Sequence, residues 1–265
     1  VCGRFALFEP LEELVSAFRA DPSPELRAAY RPSWNVSPGR NVVAVTVAVT
    51  EAQEAGATAQ EAGATAQETV ATAQEAGATA KEGVIPRRSL GLYQWGLVPG
   101  WAEKPDFGAR TFNARAESVA HKPTFRSAFR RRRCLVPVDG FYEWRRDTKQ
   151  PYYFSRWDGS VLALAGLWET WRGEDARGRD LTLDTVTVIT TDANLDVAPV
   201  HPRMPVVLEP SEWDIWLDPS LDDKERLLRV LDPAPAGTLR RYPVSRLVNR
   251  ASEDGERLLE ELVVE

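Results

Sequence analysis

The sequence predicts an α+β fold, a single domain with an antiparallel, barrel-like β core flanked by a few helices. Two observations predict it. Strand-like runs outnumber helical ones from Ser89 onward, and short turn signals join most of them rather than long crossovers. A hydrophobic content of 43% over 265 residues is ample for one packed core.

The elements follow in chain order. Leu11, Leu14, Val15 and Phe18 recur at helical spacing, which predicts an amphipathic helix over residues 10 to 20. Val42 to Val49 reads as a strand. A seven-residue repeat, Ala-Gln-Glu-Ala-Gly-Ala-Thr, then starts at Ala52, Ala59 and Ala73, with an altered copy at Ala66. It offers only Ala as its regular apolar side chain, with Gly in three of its four copies, so it lacks a coiled-coil seam. Residues 51–83 are therefore expected to be a low-complexity insertion, disordered or weakly helical, joining two strands of a hairpin. Strands are predicted at Gly91 to Val98, Cys134 to Val138, Tyr152 to Arg156, Val161 to Trp168 and Leu183 to Thr190, with turns at Asp139-Gly140 and Asp158-Gly159. Ser211 to Leu217 reads as a short helix capped by its serine, and Leu221 to Leu231 as a second.

Composition narrows the function. The net charge of −6 argues at first against nucleic acid, but residues 51–83 and 251–265 each carry about −5. Residues 101–150 hold twelve Lys or Arg against six Asp or Glu, so a basic face is available for phosphates. Two cysteines and two histidines make no disulfide framework and no Cys- or His-rich metal site. The GxGxxG and GxxxxGK[ST] loops are absent, so no cofactor and no metal are expected. No signal peptide or membrane span is read, which suggests a reduced, cytoplasmic protein without membrane contact.

Cys2 is the most informative residue. If residue 1 is removed, Cys2 offers an α-amine and a thiol on adjacent carbons, groups that titrate near about 8 and about 8.5. That pair condenses with an aldehyde, the amine giving an imine and the sulfur closing a thiazolidine ring. Val1 is read as an initiator position trimmed before a small side chain. Asn113, Arg115 and Glu117 alternate, which would put them on one face of an extended segment, an amide beside a guanidinium. Glu143 lies among aromatics after Asp139-Gly140, a setting suited to general acid/base work. His201 sits in a proline-stiffened His-Pro-Arg-Met-Pro stretch. Trp95, Trp101 and Trp144, with Pro38 and Pro99, offer flat surfaces on which unpaired bases could stack. Cys134, in an apolar strand, reads as inert core.

Eight motifs, taken in order, resemble the SRAP family of SOS response-associated peptidases, or abasic-site processing proteins. They are Cys2-Gly3-Arg4-Phe5, Trp34 to Pro38, Trp95 to Trp101, Asn113 to Glu117, Cys134 to Pro137, Gly140 to Trp144, His201 to Pro205 and Pro243 to Ser245. They span nearly the whole chain outside the repeat. The resemblance implies a sensor of abasic sites in single-stranded DNA, including single-strand to double-strand junctions, acting in the DNA damage response. It implies a thiazolidine DNA–protein crosslink through Cys2 after self-removal of residue 1, by lyase-like Schiff-base chemistry. By motif match, Asn113 orients Cys2 or the sugar, Glu143 is general acid/base, and His201 assists proton transfer. Arg4, Arg115 and Arg203 hold phosphates, while Pro38, Trp101 and Trp144 pack against DNA. A monomer, nucleoid-associated when bound, is expected.

Two other readings stay open on the residues alone. One is a cysteine peptidase acting on proteins, with Cys2 as nucleophile and His201 as base. The other is a non-catalytic single-stranded DNA binder, whose binding would be salt-sensitive without a covalent product.

Overall fold

The computed structural model describes residues 2–48, 87–175 and 177–263. Its strands, in chain order, are β1 (Phe5–Leu7), β2 (Ala20–Pro22), β3 (Ser33–Val36), β4 (Asn41–Val47), β5 (Arg88–Trp95), β6 (Asn113–Arg115), β7 (Arg133–Val138), β8 (Gly140–Trp144), β9 (Pro151–Arg156), β10 (Leu162–Glu174), β11 (Asp180–Asp192), β12 (Arg203–Pro205), β13 (Val207–Leu208) and β14 (Leu239–Pro243). The helices are α1 (Leu11–Phe18), α2 (Pro24–Ala29), α3 (Ala116–Val119), α4 (Arg126–Arg131), α5 (Trp213–Leu217) and α6 (Lys224–Arg229).

The core is a five-stranded barrel. β11, β10, β7, β4 and β5 pair in that order, and β5 returns to β11 through Thr185↔Gln94 and Val186↔Trp95. Closure removes the sheet edges and encloses one apolar interior. β7 is buried along its whole length, as a stave covered on both faces must be. The long β10–β11 hairpin carries the register from Gly166↔Val188 to Glu174↔Asp180. The predicted antiparallel character holds for most pairs. The barrel-closing β5–β11 contact is parallel, as are β2–β5 and β6–β11.

A second sheet, β14-β9-β8-β1-β3, packs beside the barrel. The chain passes into it at Asp139, between β7 and β8. Asp139-Gly140 is therefore a corner between two sheets rather than the tip of a hairpin. The buried Asp139 carboxylate accepts hydrogen bonds from the Phe8 and Glu9 amides at 2.6 and 3.0 Å, which anchors the end of the three-residue β1. Gly140 is required here, since a Cβ would overlap the Phe154 carbonyl oxygen and the Tyr153 ring.

Other boundaries moved for local reasons. The strand read at Gly91 to Val98 runs from Arg88 to Trp95, and Gly96, at φ +139°, ends it against the Gly108 backbone. α1 stops at Phe18 because Arg19 turns left-handed at φ +50°. Ser211 lies inside a 3-10 turn, and the cap is a Glu209–Glu212 box leading into α5. The second late helix spans only Lys224–Arg229, capped by Asp223. β4 and β5 are antiparallel partners, with Val47 opposite Arg88. The repeat over 51–83 lies outside the described residues, as does the end of the strand predicted to reach Val49.

Candidate active site

Four residues from four distant parts of the chain meet at the seam between barrel and sheet. β1 pairs with β8 through Phe5↔Phe141, and the Tyr142 amide donates to the Arg4 carbonyl. This register carries Cys2 back along β8 until its backbone nitrogen donates to Glu143 Oε1 at 2.5 Å. The barrel side supplies the other two. β6 follows the closing pair along β11, with Val188 opposite Asn113. From there Asn113 Nδ2 donates to the Cys2 carbonyl at 3.2 Å. His201, just ahead of β12, lies with Nδ1 at 4.0 Å from Glu143 Oε1.

Cys2, Glu143 and much of His201 are buried, so the ionisable groups face one another rather than water. Burial, reinforced by the Glu143 carboxylate, pushes the Cys2 thiol well above its usual range. The sulfur rests as a neutral thiol. The nitrogen that contacts Glu143 is a peptide nitrogen with residue 1 attached, and would be the α-amine without it. Cys2 also holds φ at +32°, outside the regions favoured by residues with a side chain. That torsion would cease to exist if residue 1 were removed.

His201 Nδ1 lies 3.1 Å from the Arg203 amide nitrogen and 3.0 Å from the Arg203 carbonyl oxygen. The Arg203 guanidinium is in turn engaged by Glu117, by Asp192 at 2.8 Å and by the Thr190 carbonyl at 2.7 Å. Its hydrogen bond with Glu117 raises Arg203 above the usual guanidinium range and holds Glu117 below the usual carboxylate range. The extended face predicted for Asn113, Arg115 and Glu117 ends at Arg115. Glu117 belongs to α3, and its carboxylate turns to Arg203.

The remaining sequence candidates differ in availability. Arg4 is half-buried, and its Nη1 donates to Asn35 Oδ1 and the Val248 carbonyl, each at 2.7 Å. Burial lowers it below the usual guanidinium range. Arg115 is exposed, and no hydrogen bond or ion pair holds its guanidinium among the described residues. Trp101 is 59% exposed and rests edge-on against Phe107. Trp144 is half-buried with Nε1 on Asn249 Oδ1 at 2.7 Å, and Pro38 is half-buried before Gly39, whose φ of +85° turns the chain into β4. Trp95 is core, its ring tilted against that of Phe5 with centroids 4.8 Å apart.

Two residues given no role by sequence reasoning matter. Asn35 is buried and spends its amide on the Val248, Arg250 and Glu253 carbonyls while its oxygen holds Arg4. Glu117 pins Arg203. Both lie inside motifs singled out by sequence, and a polar side chain fixed within a motif was the available signal.

The chain is similar to known proteins in sequence and in fold. Residues 1–251 match the family described as SOS response associated peptidase (SRAP). The chain is 32% identical over 264 residues to abasic site processing protein YoqW of Bacillus subtilis, covering 98% of this chain and 99% of that one. It is 34% identical over 188 residues to abasic site processing protein HMCES of Xenopus tropicalis, covering 62% and 55% respectively. A crystal structure of a protein from Bacteroides thetaiotaomicron shares the fold with a TM-score of 0.74 at 19% identity, over 99% of this chain and all of that one.

Proposed function

Since this chain belongs to the SOS response-associated peptidase family, we propose that it processes abasic sites in single-stranded DNA by capturing their aldehyde on Cys2. The observation that carries the reading is the contact of the Cys2 nitrogen with Glu143 Oε1 at 2.5 Å, in a pocket that keeps the adjacent thiol neutral.

The chemistry balances with groups already at the site. The α-amine adds to C1′ of the ring-opened sugar, and the carbinolamine loses one water to leave an imine. The Cys2 S–H then adds across C=N, sulfur bonding to carbon and the proton ending on nitrogen. A neutral thiol supplies that proton itself, so a raised thiol suits this step better than it suits attack as a thiolate. Glu143 takes the proton shed by the amine and returns one to the departing hydroxyl, with His201 as its neighbour in relay. Asn113 holds the Cys2 carbonyl and so sets the direction of the amine. Self-removal of residue 1 would use the same carboxylate to take a proton from the water attacking the peptide carbonyl and pass it to the departing Cys2 nitrogen. Arg115 is the exposed cation suited to a flanking phosphate, Arg4 a half-buried second, and Trp101, Trp144 and Pro38 are the surfaces against which DNA would pack.

The test is incubation of the trimmed protein with a single-stranded oligonucleotide bearing one abasic site, followed by denaturing electrophoresis and intact mass. A shifted band without reductant, lost in Cys2→Ala, is expected. In Cys2→Ser, which keeps the amine, borohydride should trap the imine while no stable adduct forms without it. No adduct from protein with a verified free Cys2 would sink the reading.

A further inference from the structure

His201 has an unusual seat. Its Nδ1 faces both polar backbone groups of one residue, the Arg203 N–H at 3.1 Å and the Arg203 C=O at 3.0 Å. A neutral ring with its proton on Nε2 accepts from the N–H. A ring protonated on Nδ1 donates to the C=O. Either state finds a partner without a swing of the imidazole, which a relay that must gain and lose a proton requires. The Nδ1 position therefore depends on where the Arg203 backbone stands.

That backbone is held by β11–β12 pairing and, through the side chain, by the carboxylates and the Thr190 carbonyl on the guanidinium. Glu117 grips the guanidinium with both oxygens, Oε1 on Nη1 and Oε2 on Nη2, and Asp192 Oδ1 reaches Nη1 only. The arginine side chain is 15% exposed, Glu117 53% and Asp192 80%. A planar two-point fork defines an orientation that one point cannot. Asp192 is also the β-ladder neighbour of Arg203, so it adds little constraint that β11–β12 pairing lacks. Glu117 comes from α3, two residues beyond the strand that carries Asn113. It thus ties the segment holding the Cys2 carbonyl to the segment holding His201.

We propose that Glu117 is a positioning residue, which braces Arg203 so that its backbone N–H and C=O hold His201 Nδ1 in both protonation states. The proposal rests on the aldehyde-capture reading for its effect on rate, and on free-protein geometry for the brace itself.

The chain has only two imidazoles, His121 and His201, so long-range ¹H–¹⁵N spectra of the rings are simple and His121→Gln assigns them. Trimmed wild type, Glu117→Gln and Asp192→Asn are compared without DNA. They are also compared for single-turnover crosslinking, and for binding to an oligonucleotide with a tetrahydrofuran in place of the abasic sugar. Glu117→Gln should shift or broaden the His201 Nδ1 resonance and slow crosslinking about tenfold, with tetrahydrofuran affinity within about twofold of wild type. Asp192→Asn should do less on each count. Arg203→Lys keeps the charge but loses the fork, and should reproduce the ring signature if Glu117→Gln does not fold. An unchanged His201 resonance in Glu117→Gln overturns the proposal. Tighter tetrahydrofuran binding without a rate loss overturns it too, since Arg203 would then be a phosphate ligand restrained by Glu117. If wild type forms no crosslink, the capture reading fails, and the ring spectra still decide the brace.

Discussion

Glu143→Gln separates two kinds of chemistry at one residue. The substitution keeps the shape and a hydrogen-bond acceptor 2.5 Å from the Cys2 nitrogen but removes the charge and the capacity to take a proton. A charge-assisted hydrogen bond is worth about 1.5–3 kcal/mol, which at about 1.4 kcal/mol per tenfold sets a loss of about 10- to 100-fold. Lost general acid/base work is worth about 10²–10⁴-fold, so crosslinking should fall by about 10²-fold or more. Glu143 holds no cation that the DNA reading uses, so affinity should stay within about threefold. The thiol should respond in the opposite sense. The Glu143 carboxylate helps to raise Cys2, so its removal lowers the thiol and speeds alkylation by a small electrophile. Burial, the larger cause, remains, so the gain stays under about tenfold. The assay pairs single-turnover gel kinetics with mass-resolved alkylation of Cys2. Crosslinking that holds steady, or that rises together with alkylation, would refute the amine-first argument and favour a thiolate nucleophile.

N-acetylation of the trimmed protein should abolish the crosslink in the abasic-site gel assay, and an adduct from acetylated protein would show that the thiol suffices alone. Gly140→Ala should destabilise by about 2 kcal/mol or more, because its methyl meets the Phe154 carbonyl and the Tyr153 ring. In thermal denaturation that is a fall of about 5 °C, and an unchanged midpoint would mean the corner has room. Arg115→Ala should reduce the salt slope of DNA binding by about one counterion, and an unaltered slope would put the phosphate path elsewhere. Alkaline stability follows from burial. The Cys2 and Cys134 thiols and the Tyr142 and Tyr153 phenols are raised in the fold, and Tyr93 is pushed up to about 12. Above about pH 9 the unfolded chain sheds protons that the folded one keeps, so the folded state loses ground as pH climbs. Below about pH 8 both states hold them and the contribution is complete. Melting midpoints should fall steadily from pH 9 to 11, and a flat profile would contradict this.

What was legible in the sequence was local. α1 announces itself by the spacing of Leu14 and Phe18, and both are buried where that spacing puts them. The apolar stretches of β10 and β11 are legible in the sequence, and their outer ends are not, because there buried Trp171 and Thr191 sit among charged and half-exposed neighbours. β1, β2, β3 and β6 are three or four residues long, too short to carry a period, and exist because partners from elsewhere complete them. Cys2, Asn113, Glu143 and His201 were each recognisable by type and motif. Their meeting was not, since the Cys2–Glu143 contact joins residues 141 apart. The role of Glu117 was hidden for the same reason, because its partner Arg203 lies 86 residues away and only the folded chain brings the two together.

The pairing of β4 with β5 has a practical consequence. Val47 and Arg88 face each other in the antiparallel register, so the chain leaves the barrel and re-enters it at neighbouring points. Bridging such points costs entropy that grows only with the logarithm of the length bridged. On the proposed chemistry, a reactive amine at Cys2 would forbid fusions ahead of it. This port in the barrel wall is the natural place to graft a fluorescent module in exchange for the native connection, which on the proposed capture chemistry would give an optical reporter of where DNA damage lies.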